Sequence, residues 1–189
     1  MGRWEPDARG RLERAALELY LDRGFEQTTV ADIAERAGLT ERTFFRHFAD
    51  KREVLFGGNE FPQTIAAALA AVPESVPPLD AVAAALESMN DFFDERRPYS
   101  RQRQTVIAAN SSLRERELIK LASMATAMGA TLRDRGVPEP AARLTAEAGV
   151  AVFKIAFERW LDDPAERDLT VHIRESLAEL KSAISGGSG

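Results

Sequence analysis

Residues 28–48 read TTVADIAERAGLTERTFFRHF, and this stretch decides the fold. Apolar side chains recur at helical spacing in two short segments, one before Gly38 and one after Thr40. Glycine at position 38 suits a sharp reversal of the chain, because a side chain there would strain the backbone. Two short helices joined by a glycine-containing turn form a helix-turn-helix, so the stretch predicts this motif.

Threonines are the predicted caps of both helices. Thr29 precedes Asp32 by three residues, which resembles a capping box with Asp in place of Glu. Thr40 is expected to cap the second helix, Glu41 to His47. The apolar positions should lock both helices against a preceding helix over residues 7–23; they are Val30, Ile33, Ala34, Ala37, Leu39, Phe44 and Phe48.

The other side chains of the second helix are left to face outward. A helix-turn-helix points the N-terminal part of its second helix into the DNA major groove. Arg42 is a natural bidentate reader of a guanine edge in that groove. The residues expected to face outward are Glu41, Arg42, Thr43, Arg46 and His47.

Helical patterns dominate the whole chain, and we expect an all-α fold of about nine helices. The prediction is an N-terminal three-helix helix-turn-helix DNA-binding domain at residues 1–56. A larger helical ligand-binding and dimerisation domain is expected at 57–184, followed by a flexible tail at 185–189.

Four further helices are predicted from local signals. Asp50 and Glu53 are expected to open a fourth helix, and the pattern over 79–96 indicates a single helix. Ser112–Glu115 is expected to be the capping box of a long helix, and Asp163–Glu166 to open the last helix.

Net charge gives no support to DNA binding. The chain carries a net charge of −5, and residues 1–56 contain ten Lys and Arg against eleven Asp and Glu. A strongly basic domain is the usual electrostatic footprint of a DNA-binding protein. Any positive patch must therefore come from arrangement, and the local excess lies in Arg42, Arg46, Lys51 and Arg52.

Composition excludes several kinds of site. The chain has no cysteine, which excludes a disulfide framework and a thiolate metal site and suits a cytoplasmic protein. Its two histidines, His47 and His172, are far apart in sequence, so we expect no metal and no cofactor. The longest uncharged run, Phe61 to Pro73, is too short to span a bilayer, and the N-terminus has no apolar stretch like a signal peptide.

Residues 28–40 and 43–51 resemble the N-terminal signature of TetR-type (tetracycline-repressor-like) regulators, with a match over about residues 9–56. The resemblance implies a sequence-specific transcriptional regulator and no enzymatic activity. It further implies a repressor that binds double-stranded DNA at a palindromic operator. In that family the C-terminal domain dimerises and usually binds a small ligand that releases the operator.

The resemblance also implies roles for individual residues. Thr29 and Lys51 fall where the family contacts phosphates, and Arg42 falls where the family varies. Phe45 replaces a usual Tyr, which keeps the packing against sugar and loses a hydrogen bond to phosphate. The full expected DNA-binding set is Thr29, Thr40, Glu41, Arg42, Thr43, Phe45, Arg46, His47 and Lys51.

Two C-terminal helices are expected to form a two-fold homodimer. Segment 148–157 is apolar almost all round its helix, and the last helix carries a seam from Leu169 to Ile184. The alternative is that both stripes are core within one chain. The expected interface residues are Gly149, Val152, Ala156, Trp160, Ile173, Leu177 and Leu180.

Met and aromatic side chains of the second domain could line a cavity for a largely apolar effector, or they could be plain core. The candidate ligand-binding residues are Met89, Phe92, Phe93, Arg103, Ile107, Met124, Met128 and Phe153. Arg97, Arg101 and Arg103 near Tyr99 could bind an anionic group, but the favoured interpretation is a solvated face.

Two other function classes remain open. An enzyme is disfavoured because the sequence has no Cys, no His pair, no Gly-rich phosphate loop and no Ser-His-Asp pattern with usable context. A helical adaptor, whose helix-turn-helix binds protein, is kept open by Phe45 and by the negative N-terminal segment. Salt-dependent binding to a palindrome separates the DNA-binding regulator from the adaptor, and substrate turnover would support the enzyme.

Overall fold

The computed structural model describes residues 7–56 and 60–186. The predicted all-α class is confirmed, and the predicted number of helices is one short. The described residues form ten α-helices and a 3₁₀ turn at Glu53–Leu55. The helices are α1 (Ala8–Arg23), α2 (Val30–Arg36), α3 (Glu41–His47), α4 (Glu60–Ala71), α5 (Pro78–Glu87), α6 (Asn90–Asp94), α7 (Arg97–Ala109), α8 (Ser111–Asp134), α9 (Glu139–Asp162) and α10 (Leu169–Ser185). Of the predicted flexible tail, Ser185 ends α10 and residues 187–189 lie outside the described residues.

The single helix predicted over 79–96 is wrong, because it is divided into α5 and α6. The Ser88 hydroxyl donates to the carbonyl of Ala85 at 2.7 Å, and the Asn90 amide donates to Asp94 at 2.7 Å. Short polar side chains of this kind compete with the helical hydrogen-bond ladder and favour its ends.

The fourth predicted helix, opened at Asp50, is a 3₁₀ turn. Arg52, not Asp50, is its N-cap, although one Asp50 carboxylate oxygen accepts from the backbone N–H of Arg52 at 2.8 Å and of Glu53 at 3.2 Å. Glu53 does not close a capping box. Its side chain is buried and forms an ion pair with Arg116.

Two predicted helix starts are also corrected. Asn110, not Ser112, caps α8, since its Oδ1 accepts from the N–H of Ser112 at 3.0 Å and of Leu113 at 3.3 Å. The last helix begins at Leu169 and not at Asp163. Asp163 is a buried loop residue whose pKa is lowered to about 2, first by the N–H of Ala165 and then by Arg167 and His172, among others.

The chain divides into two compact units. The first comprises the described residues up to Glu60 together with Arg101–Leu118, and the second comprises Phe61–Ser100 and the described residues from Ile119 onwards. Helices α7 and α8 therefore each contribute residues to both units. The predicted division between residues 56 and 57 stays a prediction.

In the first unit, α1 packs against α2, α3 and the 3₁₀ turn. Phe44 of α3 and Leu12 of α1 are completely buried. Of the seven apolar positions predicted to form this core, Val30 and Leu39 stay partly exposed and the other five are buried. This core fixes the helices that carry the predicted DNA-facing residues.

In the second unit, α5, α9 and α10 pack on one another. Trp160 of α9 and Ile173 of α10 are completely buried, as are Met124 and Met128 of α8. Among the described residues, no helix is both long and apolar enough to cross a membrane.

Gly149 allows α9 to approach α5 closely. A Cβ at Gly149 would lie 2.4 Å from Cγ1 of Val82, which is itself fully buried. Gly129 in α8 is a helical glycine that does have space for a side chain, because a Cβ there would lie 3.8 Å from the Cβ of Ala146.

We expect Gly149→Ala to lower the free energy of unfolding by about 1–3 kcal/mol, the usual cost of overpacking a core. Gly129→Ala should instead be neutral or stabilise by roughly 0.5–1 kcal/mol, since it removes a helical glycine without a clash. Urea denaturation of both variants measures the difference. Val82→Ala should partly rescue Gly149→Ala, and equal effects of the two glycine substitutions would contradict the close approach.

Candidate nucleic-acid interface

The predicted capping box at the start of α2 is confirmed. The Thr29 hydroxyl oxygen accepts from the N–H of Asp32 at 3.1 Å, and the Asp32 carboxylate accepts from the N–H of Thr29 at 2.8 Å. The hydrogen bonds from Thr29 are the main cause of the lowered pKa of Asp32. Arg23 adds an ion pair to this carboxylate at 2.9 Å. The beginning of α2 is therefore fixed from both sides.

The turn between α2 and α3 depends on Gly38 and on a residue of α1. Gly38 has a φ of +67°, in the left-handed region that L side chains rarely adopt. Arg11 reaches across from α1 and donates to the carbonyl of Ala37. A Cβ at Gly38 would lie 2.8 Å from the guanidinium Nη2 of Arg11, so a side chain there would displace this guanidinium.

The predicted cap at Thr40 is confirmed, and α3 shows two distinct faces. The Thr40 hydroxyl oxygen accepts from the N–H of Thr43 at 3.2 Å. Phe44 is buried, whereas Phe45 beside it is 55 % exposed, high for a phenylalanine. Among the other predicted DNA-facing residues of the motif, Thr29, Thr40, Glu41, Arg42 and Arg46 are exposed, and Thr43 and His47 are partly buried.

His47 is less available for DNA contact than the sequence indicates. Its Nε2 is buried without a hydrogen-bond partner in the described part of the chain. Burial, followed by the nearby charges of Arg46 and Arg9, lowers the pKa of His47 below its ordinary value. The lowered pKa favours the neutral form of the ring, so His47 contributes less positive charge to the face of α3.

Lys51 holds the connection between α1 and α2. Its Nζ donates to the carbonyls of Phe25 at 2.9 Å and Thr28 at 3.1 Å, and it lies 4.3 Å from the centroid of the Phe25 ring. The Tyr20 hydroxyl donates to the Lys51 carbonyl at 2.6 Å. Sequence reasoning assigned Lys51 to phosphate and missed this role, which comes from carbonyls more than 20 residues away.

Ion pairing explains how a segment of negative net charge presents positive charge. Arg36 pairs with Glu18 at 3.3 Å, and Arg52 pairs with Asp50 at 2.7 Å. Arg42 and Arg46 are exposed and form no ion pair within residues 7–56 and 60–186. Both arginines therefore remain available for an external anion, and both lie on α3.

The predicted dimer residues lie inside one chain. Gly149, Val152, Ala156, Trp160, Ile173 and Leu177 are buried there, and Leu180 is partly buried. The outer side of α9 carries a different apolar stripe at spacings of four, three and four residues. We call it the outward stripe; it comprises Leu144, Ala148, Ala151 and Ile155.

The predicted ligand residues fall into two groups. Met124, Met128 and Phe153 are buried in the second unit, where Met89 and Phe93 are partly buried and Phe92 is exposed. Arg103 and Ile107 belong to the first unit. There Arg103 donates to the carbonyl of Leu55 at 2.6 Å and lies over the ring of Phe56 at 4.8 Å.

We expect Gly38→Ala to lower the free energy of unfolding by at least about 1–2 kcal/mol, the cost of left-handed backbone for a residue with a Cβ. The added methyl group also displaces the Arg11 guanidinium. Thermal unfolding of Gly38→Ala, Arg11→Met and the double variant measures the coupling. The double variant should lose less than the sum of the single losses, and strict additivity would contradict the contact.

Two family comparisons cover most of the chain. Residues 13–56 match the family described as bacterial regulatory proteins, tetR family. Residues 76–185, more than half of the chain, match the MftR C-terminal domain.

Relatives are found over both parts. The regulator TcmR of Streptomyces glaucescens is 44 % identical over 82 residues, which are 43 % of this chain and only 36 % of that protein. The putative mycofactocin biosynthesis transcriptional regulator MftR of Mycobacterium tuberculosis is 26 % identical over 178 residues, covering 91 % of this chain and 86 % of that protein.

Solved structures show the same fold. FadR of Bacillus subtilis, in complex with stearoyl-CoA, matches with a TM-score of 0.59 at 18 % identity, over 89 % of this chain and 95 % of that one. A complex of SmeT with triclosan matches with a TM-score of 0.60 at 19 % identity, over 91 % and 90 % of the two chains. The chain belongs to the TetR family of helix-turn-helix transcriptional regulators, and its C-terminal domain is of the MftR type.

Proposed function

We propose that the chain is a homodimeric repressor that binds a palindromic operator through α3 and leaves it when a small, largely apolar effector binds the second unit. One observation carries the DNA-binding part of this proposal: Arg42 and Arg46 are exposed on α3 and form no ion pair in the described part of the chain. Two cations on the helix that follows a fixed turn suit a groove lined by phosphates and base edges.

The residues of α3 divide into different roles. Arg42, in the first turn, reads guanine through a bidentate hydrogen bond, and Glu41 accepts from a cytosine amine. Phe45 packs against a sugar. Thr43, Arg46 and His47 form the rest of the surface that contacts DNA. Thr29 and Thr40 present the N-termini of α2 and α3 to phosphates. Lys51 acts mainly by holding the segment before Thr29, and its charge adds to the attraction.

The proposed dimer uses the outward stripe of α9. Leu144 is 70 % exposed and Ile155 is 44 % exposed, while Ala148 and Ala151 between them allow close approach of a second helix. Apolar residues at alternating spacings of three and four form a seam for helix packing. A two-fold dimer of helix-turn-helix chains is expected to read two half-sites about one DNA turn apart, roughly 34–36 Å, or a multiple of it.

An effector is proposed for the second unit because Met and aromatic side chains meet there. Phe93 and Phe153 lie 5.8 Å apart between ring centroids, and Met89 packs against the same core. The stearoyl-CoA bound to FadR carries a long apolar acyl chain, and the triclosan bound to SmeT is an aromatic molecule; both proteins have this fold. An effector for this chain is expected to be similarly apolar. TetR-family members regulate transcription and are not enzymes.

Selection of bound duplexes from a random DNA pool tests the operator directly. The purified full chain is incubated with the pool at low salt and without added small molecules, and the retained duplexes are sequenced. Enrichment of one palindromic motif is the expected result and would give the operator. Recovery of no enriched motif would contradict the proposal and favour a helical adaptor that binds protein.

Arg42→Ala is expected to weaken binding to the selected operator by about 1–3 kcal/mol and to relax sequence preference at one base pair of each half-site. Arg36→Ala is the matched control, since Arg36 is an exposed arginine on α2 that pairs with Glu18. Fluorescence anisotropy with the operator and with single-base variants measures both effects. Equal losses from the two substitutions would contradict base reading by Arg42.

Ile155→Arg is expected to convert the dimer to a monomer, because it places like charges opposite each other across the two-fold axis. Leu118→Arg, an equally drastic change at a residue that is 61 % exposed on α8, should leave the dimer intact. Sedimentation velocity distinguishes the two masses. A dimer that survives Ile155→Arg would place the interface elsewhere.

A further inference from the structure

Six aromatic rings form a connected group in the second unit, which we call the aromatic cluster. Phe93 lies at its centre, and the other five ring centroids are 5.2–6.3 Å from it. Trp160 is fully buried, whereas Phe92 is 44 % exposed, so the cluster extends from the core to the surface. Its members are Phe61, Phe92, Phe93, Phe153, Phe157 and Trp160.

Arg97 brings a cation to the buried end of the aromatic cluster. It is only 7 % exposed, its guanidinium carbon lies 4.8 Å from the centroid of the Trp160 ring, and its Nη2 donates to the Trp160 carbonyl. Its Nε is buried without a hydrogen-bond partner among the described residues. The predicted solvated face is thus wrong for this arginine.

Within the described ranges, no carboxylate forms an ion pair with Arg97. Asp94 is close in sequence, but its oxygens accept from Trp160 Nε1 at 3.2 Å and from the Asn90 amide at 2.7 Å. A buried charge without a counter-charge is costly. The carbonyl end of α9 compensates part of this cost, because a helix C-terminus attracts cations, yet it leaves the Nε–H unused.

We propose that Arg97 and the aromatic cluster form the effector site, and that the effector combines a flat apolar body with an anionic group such as a carboxylate. The anion pairs with the guanidinium, for which a charge-assisted hydrogen bond to the Nε–H is available. The apolar body packs among the rings. Calling the ligand an effector rests on the proposed function, whereas the binding site itself does not.

Helix α6 is the expected entrance. It has only five residues, and it carries both Phe92 and Phe93. Asn90 and Asp94, at its two ends, attach it to the rest of the unit, through the N–H of Thr170 at 3.2 Å and through Trp160 Nε1 at 3.2 Å. Arg96 stacks on the exposed ring of Phe92 at 4.8 Å, so a second cation stands where an anion would approach.

Two fluorescent probes of nearly the same shape test the proposal. 1-Anilinonaphthalene-8-sulfonate is a flat apolar anion, and N-phenyl-1-naphthylamine is its uncharged analogue. The full chain is used with Trp4→Phe, which leaves Trp160 as the only tryptophan. Binding is followed by quenching of Trp160 emission, which reports on the aromatic cluster, and the ratio of the two affinities is compared between variants.

We expect the unsubstituted site to prefer the anion and Arg97→Gln to reduce that preference about tenfold or more, since a hydrogen bond to a charged group is lost. Arg97→Lys keeps the charge and should retain more of the preference than Arg97→Gln. Arg133→Met, which removes an exposed arginine paired with Glu139, should leave it unchanged. Damage to the aromatic cluster that weakens the binding of both probes equally leaves the ratio of the two affinities unchanged.

An unchanged ratio in Arg97→Gln would overturn the proposal, as would the absence of Trp160 quenching by either probe. A reduced ratio in Arg133→Met, equal to that of Arg97→Gln, would also overturn it, because the effect would then come from net charge alone. The assay contains no DNA, so its outcome is independent of whether the chain binds an operator.

Discussion

The hydrogen bond from Arg11 to the carbonyl of Ala37, together with the left-handed backbone of Gly38, sets the angle between α2 and α3. The rest of the first unit depends on this angle. Phe44 reaches the core only when α3 leaves the turn in this direction, and Arg42 and Arg46 then face outward. At the other end, Lys51 holds the carbonyls before Thr29, so the motif is fixed at its start as well as in its middle.

Charge in this unit is a matter of pairing more than of composition. The acidic residues that make the segment negative are in several cases already engaged by arginines, as at Asp32 with Arg23 and Asp50 with Arg52. Each pair is exposed and contributes little to stability. Their effect is on the field outside the protein, because these carboxylates are engaged by other arginines and form no ion pair with Arg42 or Arg46 in the described part of the chain.

Local sequence signals were enough to predict the helix-turn-helix. They were not enough to predict features that depend on residues far away in the sequence. The caps at Thr29 and Thr40 and the turn at Gly38 involve atoms within a few residues, so the sequence pattern contains all the necessary information. The incorrect helix start at Asp163 has the opposite cause, since its carboxylate is used by Arg167 and by His172, nine residues away. Apolar periodicity behaves in the same way. It correctly indicated that Val152, Ala156 and Ile173 are buried, but it does not tell whether the covering surface belongs to the same chain.

Helix α7 begins with Arg97 beside the aromatic cluster and continues through Arg103, which contacts Leu55 and Phe56 in the other unit. The five residues between them form less than two turns of continuous helix. One continuous helix thus carries a residue of the proposed effector site at its start and the contact to Leu55 further along. Under the proposed function, substitutions around Arg97 change which effector binds, while Arg103 and the proposed DNA-reading side chains of α3 stay the same.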